Sequence, residues 1–339
     1  MTTPQPTGRP ANYDSIIIGA GHNGLVCAAY LARSGQRVLV LEASDAPGGL
    51  AANREFHPGY RSSIAHSISH FSQKVAADLK LASYGFDNAT KPLATIGLGS
   101  GKEPVGGTNS DDVASFQDYS RMMHRFADAL EPSWLKTIPR IGIGSFRDML
   151  TFAQIGLSIR RLGRENMREF MRIAALPARD LLDEYFDDDV LKAVLSWDGV
   201  IGSRLAPRSP NSAVLMLLYR MAGKSRGAHA IPASGVNGVI QALSASATAS
   251  GAEIRCAYRV DQIVVEGSAD GLLTKGVLLA DGERIEADRV ISATDPQRTF
   301  LNLVGVENLE IGFTNRIRRL RCDGYVAKLL LALDALPSF

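Results

Sequence analysis

Unbroken apolar runs mark the two ends of this chain, and helical spacing fills the middle. Ser15–Ile18 reads Ser-Ile-Ile-Ile, with no polar face, which predicts a strand buried on both sides. Gly19, Gly21 and Gly24 follow, and an alanine-rich stretch over about residues 23–34 has apolar positions at helical spacing until Gly35 ends it. Arg37–Leu41 predicts a second buried strand, and it stops at Glu42. The order strand, glycine turn, helix, strand is a βαβ unit.

From Phe71 to about Lys224 the period is helical, broken at Pro132, Pro139, Pro177, Pro207 and Pro210. Lys102–Asp112 (rich in Gly, Asn, Ser and Asp) reads as a loop. Met149–Ile159 is an apolar run of 11 residues, too short to span a bilayer. It reads as a core helix, with a lipid-facing lip as the rival reading. A helix over about residues 238–250 is opened by Gly235 and Gly238.

Beyond it the period drops to two. Residues 251–256 (Gly-Ala-Glu-Ile-Arg-Cys) predict a strand, followed by Val260–Glu266 and Lys275–Leu279. Asp281-Gly282 sits between alternating apolar runs, a hairpin signal, and Arg284-Ile285 begins the return. The result is a three-stranded meander that feeds an apolar strand, Arg289–Pro296, ending in small residues around Ala293. Thr299–Arg321 predicts a helix and Tyr325–Leu333 a last strand. The organisation is then a tail over 1–12, a discontinuous first domain over 13–70 and 232–298, and a helix-rich second domain over 71–231 and 299–339.

The glycine turn carries the chemistry. Gly19 permits a tight turn, Gly21 lets backbone approach a pyrophosphate, and Gly24 lets the helix pack on the strand. The loop Gly19-Ala20-Gly21-His22-Asn23-Gly24 ends on a helix N-terminus, whose free N–H groups and partial positive charge suit phosphate. Glu42 lies 18 residues beyond Gly24, with Ala43 after it, placed to accept a ribose hydroxyl. Strand, glycines, helix and acid agree, so this is a dinucleotide fingerprint in its required context. Gly48-Gly49 just past the acid could be a plain turn. After a complete fingerprint it favours FAD over a nicotinamide dinucleotide, whose domains continue strand–helix–strand at once.

Composition adds bounds. At 339 residues the chain has room for about two domains. A hydrophobic share of 45% with 21% charged residues excludes a disordered chain. A net charge of +2 gives no field for nucleic acid. Cys27, Cys256 and Cys322 are too scattered for a dithiol and suggest a reducing compartment, hence the cytoplasm. Residues 1–11 are polar and proline-rich, without a signal core. His66 and His70 have helical i, i+4 spacing, but no third ligand accompanies them or His57, so no metal is expected. Arg316, Arg318, Arg319 and Arg321 read as a solvated face, with anionic lipid as the lesser reading.

Taken together, Ile-Gly-Ala-Gly-His-Asn-Gly-Leu (18–25), Pro-Gly-Gly-Leu-Ala (47–51), Pro-Gly-Tyr-Arg (58–61), Pro-Ala-Ser-Gly-Val-Asn-Gly (232–238) and Ser-Ala-Thr-Asp-Pro (292–296) resemble the phytoene-desaturase-like flavoproteins. The likeness runs from about Asn12 onward. It implies an α/β fold: a Rossmann-like FAD-binding domain of the glutathione-reductase and amine-oxidase type, with a β-meander and a helix-rich inserted substrate domain. It implies that Val260 meets the adenine through its backbone and that the segment of His66 lines the flavin ring. The implied activity is an FAD-dependent oxidoreductase passing hydride from an apolar, isoprenoid- or lipid-like substrate to flavin, with an external electron acceptor and peripheral membrane contact as further partners. The alternatives are a flavin amine oxidase and a non-catalytic, protein-binding member of the same fold. Catalytic residues stay unassigned. Members of that family run on past this length and close the FAD domain with a glycine-rich strand–helix segment. Only 43 residues follow Pro296 here. The resemblance therefore implies a fragment that keeps the adenine half of the site, binds FAD weakly and lacks turnover.

Overall fold

A computed structural model describes residues 13–65, 67–68, 71–86, 93, 95–97, 110–137, 146–210, 213–222, 226–232, 234–268, 271–321 and 327–335. The described residues fall into two compact units. One is drawn from Met1–His66, Gln73–Asn88 and Pro232–Cys322, the other from Ser67–Ser72, Ala89–Ile231 and Asp323–Phe339.

The first unit is built on β1 (Tyr13–Ile18), α1 (His22–Arg33) and β2 (Val38–Leu41). Ile16 and Ile17 point to opposite faces and are both fully buried, as the unbroken apolar run requires. β1 pairs in parallel with β2, and β2 with β5 (Glu253–Arg255). On its other side β1 pairs in parallel with β8 (Arg284–Ser292). β6 (Val260–Ser268) and β7 (Gly271–Leu279) complete a sheet of order β5-β2-β1-β8-β7-β6. Arg284–Ser292 is one strand where the sequence suggests two. Residues 284–286 pair antiparallel with β7 and residues 287–292 pair with β1, so the meander runs directly into the parallel sheet. At the β7–β8 turn Asp281 Oδ1 accepts from the Glu283 N–H at 3.0 Å, and Gly282 has φ +93°, the left-handed geometry that Asp-Gly supplies.

One face of this sheet packs Ile16, Leu39, Leu41, Val260, Ile263, Val277, Leu279 and Leu303 into a single cluster. Burial of each such side chain contributes roughly 1.5–3 kcal/mol. Leu25, Ala28 and Ala29 of α1 are fully buried, and α1 contacts α9 (Asn237–Ala249). α2 (Gln73–Asp78) and the turn Leu81–Tyr84 follow this layer. Ser246 Oγ of α9 donates to the Leu79 carbonyl at 2.9 Å, and Leu79 and Leu81 are buried. This packing places 73–86 in the first unit, where sequence alone suggested the second.

Thr299–Arg321 is not one helix. It is a π-helix, Arg298–Gly305, a 3-10 turn, Val306–Asn308, and α10 (Ile311–Arg318). Gly305, at φ +85°, interrupts it. Leu303 joins the sheet cluster, which places this segment in the first unit as well. The strand expected at 325–333 is not formed among the described residues 327–335. Leu329, Leu331 and Leu333 there are exposed, so the apolar alternation gains no burial on one face of a strand. β3 (Arg54–His57) and β4 (Tyr60–Ser62) form a hairpin of their own.

The second unit is helical, with α3 (Ser110–Leu130), α4 (Phe146–Arg160), α5 (Arg164–Ile173), α6 (Ala178–Asp183), α7 (Asp189–Val200) and α8 (Ala213–Met221). α3 begins inside the stretch expected to be loop; residues 102–109 lie outside the described residues. Met123, Phe126, Ile173, Leu181, Val214 and Leu218 are the fully buried centre of its core. Pro177 precedes α6, and Pro207 and Pro210 lie between α7 and α8, as breakers should. The reading of Met149–Ile159 as a core helix is corrected: α4 has no buried residue, and Phe146, Met149 and Leu150 are exposed. Among the described residues no helix is long and apolar enough to cross a membrane.

Candidate functional site

The fingerprint residues converge at the C-terminal ends of β1, β2 and β8, where ligands settle in open α/β sheets. Gly19 turns the chain at φ +98°, and its N–H donates to the Leu41 carbonyl at 2.8 Å. The Ala20 N–H donates to Glu42 Oε2 at 2.8 Å, and the Ser44 N–H donates to Oε1 at 2.9 Å. The Gly48 N–H donates to the Ala20 carbonyl at 2.9 Å, and Gly21 and Gly48 form a parallel bridge. The second glycine pair is thus seated on the first loop. Gly48 has φ +140°, and a Cβ there would press into Ala52 at 2.8 Å, so the plain-turn reading of the pair understates it.

Each fingerprint glycine has a distinct physical reason. A Cβ on Gly24 would overlap the Gly19 carbonyl oxygen and come within 3.3 Å of Ala293. Ala293 is held there by its N–H, which donates to the Ile18 carbonyl at 2.9 Å. A Cβ on Gly21 would meet nothing within 4 Å. No described residue therefore requires Gly21 to lack a side chain. It is also the N-cap of α1, and no side chain caps that terminus. The uncapped N–H groups of the first turn, with His22 and Asn23 exposed, leave an anion-binding end open beside that space.

A second wall comes from the segment after β5. The Glu42 N–H donates to the Arg255 carbonyl at 2.9 Å, the Tyr258 N–H to the Glu42 carbonyl at 2.9 Å, and the Ala257 N–H to the Ser44 carbonyl at 2.7 Å. Ala257 takes φ +63° to do so, a strained choice for a residue with a Cβ. Val260 follows, buried in the sheet cluster. Ala43 lies between Glu42 and Ser44 in this cradle. His66 and His70 lie outside the described residues, and His57 is exposed in β3, 5.7 Å from the Tyr60 ring.

Sequence reasoning missed two parts of this site. Ser44 and Ala257 bind the two walls together only through backbone, which leaves no residue signature. Ser292, Thr294 and Thr299 join their hydroxyls at 2.7–3.1 Å behind Gly19, and the Ser-Ala-Thr run was the one visible hint. Cys27 and Cys256 are free; burial pushes both thiols up, and for Cys256 the Glu42 and Asp45 carboxylates add to it, so neither is a reactive thiolate.

This loop–helix–acid cradle on a partly parallel sheet with a meander defines an FAD-binding fold of the amine-oxidase type. The chain belongs to the family of flavin-containing amine oxidoreductases, whose profile matches residues 24–299. It is 30% identical to the rat (Rattus norvegicus) protein named pyridine nucleotide-disulfide oxidoreductase domain-containing protein 2, over 96% of this chain and 61% of that one. It is 26% identical to the chloroplastic prolycopene isomerase of carrot (Daucus carota), over 89% of this chain and 49% of that one. The chain thus spans about 61% of the length of the rat relative. Among solved structures it shares its fold with cyclohexylamine oxidase from Brevibacterium oxydans, at a TM-score of 0.52 and 17% identity, covering 91% of this chain and 63% of that one. The family is flavin-containing, and FAD is the cofactor it indicates.

Proposed function

We propose that this chain holds FAD in the cradle of the first unit and works as part of an FAD-dependent oxidoreductase of the dehydrogenase or desaturase kind. One observation carries the reading: the space beside Gly21 is open, next to the uncapped α1 terminus, while the Gly48-Gly49 pair is docked on the same loop. The residues fit the group. In this proposal the backbone of Gly19-Ala20-Gly21 and the N–H groups of His22, Asn23 and Gly24 take the pyrophosphate. The Glu42 carboxylate takes ribose hydroxyls, with Ala43 beside it. Gly48 and Gly49 close the loop, Val260 offers backbone to the adenine, and Ala293 supports Gly24. His66 is assigned to the ring by family resemblance alone. When bound, FAD supplies a two-electron acceptor for hydride from a substrate carbon.

We assign an apolar, isoprenoid- or lipid-like substrate, supported by the prolycopene in the carrot relative's name and by the apolar helical unit. The amine-oxidase alternative draws on the family's description. A cytoplasmic location draws on the scattered cysteines. Peripheral membrane contact draws on α4, whose Phe146 is 79% exposed and Met149 65% exposed, on a helix that also carries Arg147 and Arg160.

The test is calorimetric titration of the purified chain with FAD and with NAD, then anaerobic mixing of a version extended with a family C-terminal segment with candidate substrates while flavin absorbance is followed. FAD should bind more tightly than NAD, and lipid-like substrates should bleach the flavin. Tighter NAD binding sinks the cofactor reading. Bleaching by small amines alone moves the assignment to the amine-oxidase alternative, and FAD binding without bleaching by either class favours a non-catalytic, protein-binding member.

A further inference from the structure

The second unit contains a cavity of about 410 Å³ whose wall joins apolar side chains to two unsatisfied polar ones. Its apolar lining includes Phe116, Trp197, Leu217 and Met221. Asp198, Arg220 and His229 line it as well. Ser67 Oγ lies 3.1 Å from His229 Nδ1, and Asp198 Oδ1 lies 3.2 Å from His229 Nε2. The His229 ring thus sits between the Ser67 hydroxyl and the Asp198 carboxylate. The Nε2 contact is within ion-pair reach but lacks hydrogen-bond geometry, so among the described residues buried Asp198 Oδ1 has no hydrogen-bond partner. Arg220 Nε, in the last turn of α8, is also buried without a partner among the described residues. Arg226, on the same wall, is already engaged with Asp128 at 3.0 Å.

A buried acceptor and a buried donor left open on one cavity each cost about 1–3 kcal/mol unless something fills them. The filler must present an acceptor to Arg220 and a donor to Asp198. Its remainder must be apolar, to match the aromatic and aliphatic wall. The volume suits a small organic molecule. We propose that this cavity binds an apolar hydroxy acid. Its carboxylate accepts from Arg220 Nε, its hydroxyl donates to Asp198 Oδ1, and its tail lies against Phe116, Trp197, Leu217 and Met221. Arg220 supplies the stronger contact, because a charge-assisted hydrogen bond outweighs a neutral one. The proposal specifies the polar end of the lipid-like ligand and rests on the reading above only for calling that ligand a substrate; the site itself stands on the second unit alone.

Four matched eight-carbon probes test it by calorimetry on the whole chain: 2-hydroxyoctanoate, octanoate, 1-octanol and octylamine. Octanoate should bind at least about tenfold more tightly than octanol, and 2-hydroxyoctanoate several-fold more tightly again. Arg220→Gln should reduce both acids to the level of octanol, whose unchanged binding reports an intact fold. Asp198→Asn should remove the advantage of 2-hydroxyoctanoate over octanoate. Octylamine binding as tightly as octanoate, an unchanged series in Arg220→Gln, or no binding by any probe (water alone then fills the two positions) overturns the proposal. FAD titration of the same preparation keeps the two readings apart: acid binding without FAD binding sinks the flavin assignment and leaves this site standing.

Discussion

The Glu42 carboxylate and the Ala20 N–H are joined at 2.8 Å, so the acid at the end of β2 grips the glycine loop at the end of β1. Its other oxygen holds the Ser44 N–H. One side chain therefore fixes the distance between the loop and the segment proposed to face the ribose. Glu42→Ala removes both hydrogen bonds and the ribose acceptor together. Hydrogen bonds to a charged group contribute about 1.5–3 kcal/mol, which predicts a loss of FAD affinity of roughly 10- to 100-fold. Calorimetry reads it directly, and undiminished affinity would remove Glu42 from the cofactor site.

Gly21 and Gly24 separate binding from folding. Gly21→Val puts a side chain into open space, so the free protein should melt within a few degrees of the parent while FAD binding is lost. Gly24→Val drives a side chain into the Gly19 carbonyl and Ala293, and overpacking of this kind costs about 1–3 kcal/mol or more. It should lower Tm by several degrees even without flavin. A Gly21→Val chain that still copurifies with flavin would contradict the assignment.

Asp188 caps α7 by accepting from the Val190 and Leu191 N–H groups at 2.7 and 3.0 Å. Asp188→Ala should destabilise the second unit by about 1 kcal/mol. α7 carries both Trp197 and Asp198, so the same change should also weaken acid binding at the cavity. Thermal melting followed by Trp fluorescence checks the first part, and an unchanged melting curve would show that the cap is redundant.

How much of this was legible depended on how local the cause was. The βαβ unit could be read because each glycine, the apolar runs and Glu42 act on neighbours within thirty residues. The merging of the meander into β8 could not. Nothing between Ile285 and Arg289 records that one strand serves two partners, since strand pairing is decided by distant chain. Period alone misplaced α4: within Met149–Ile159, Ile159 packs on the helical core, but Met149, Leu150, Phe152 and Leu157 are exposed, and hydrophobicity does not say which surface receives them. The cavity of the second unit draws on Ser67, Asp198, Arg220 and His229, which no spacing rule connects.

Acid stability should be sensitive to one cluster at the sheet edge. Tyr13 Oη donates to Glu253 Oε2 at 2.6 Å, and Arg255 donates to Glu253 Oε1 at 2.7 Å, tying the start of β1 to β5 across β2. The Tyr13 hydroxyl, more than the guanidinium of Arg255, holds the Glu253 carboxyl below its ordinary value of 4.5. A carboxylate whose folded value is depressed adds stability above its unfolded value, and that stability is lost as pH falls through the folded value. The contribution is thus complete at neutral pH and fades below about pH 4.5. Because Glu253 is about half exposed, solvent screening keeps the effect small. Glu253→Gln should lower Tm at pH 7 by a degree or two, with the gap to the parent closing as the pH drops toward 3. Tyr13→Phe should lose about 0.5–1.5 kcal/mol and flatten the same acid limb. Melting curves of the three proteins across pH 3–7 decide it, and a gap that widens toward acid would reverse the sign assigned to Glu253.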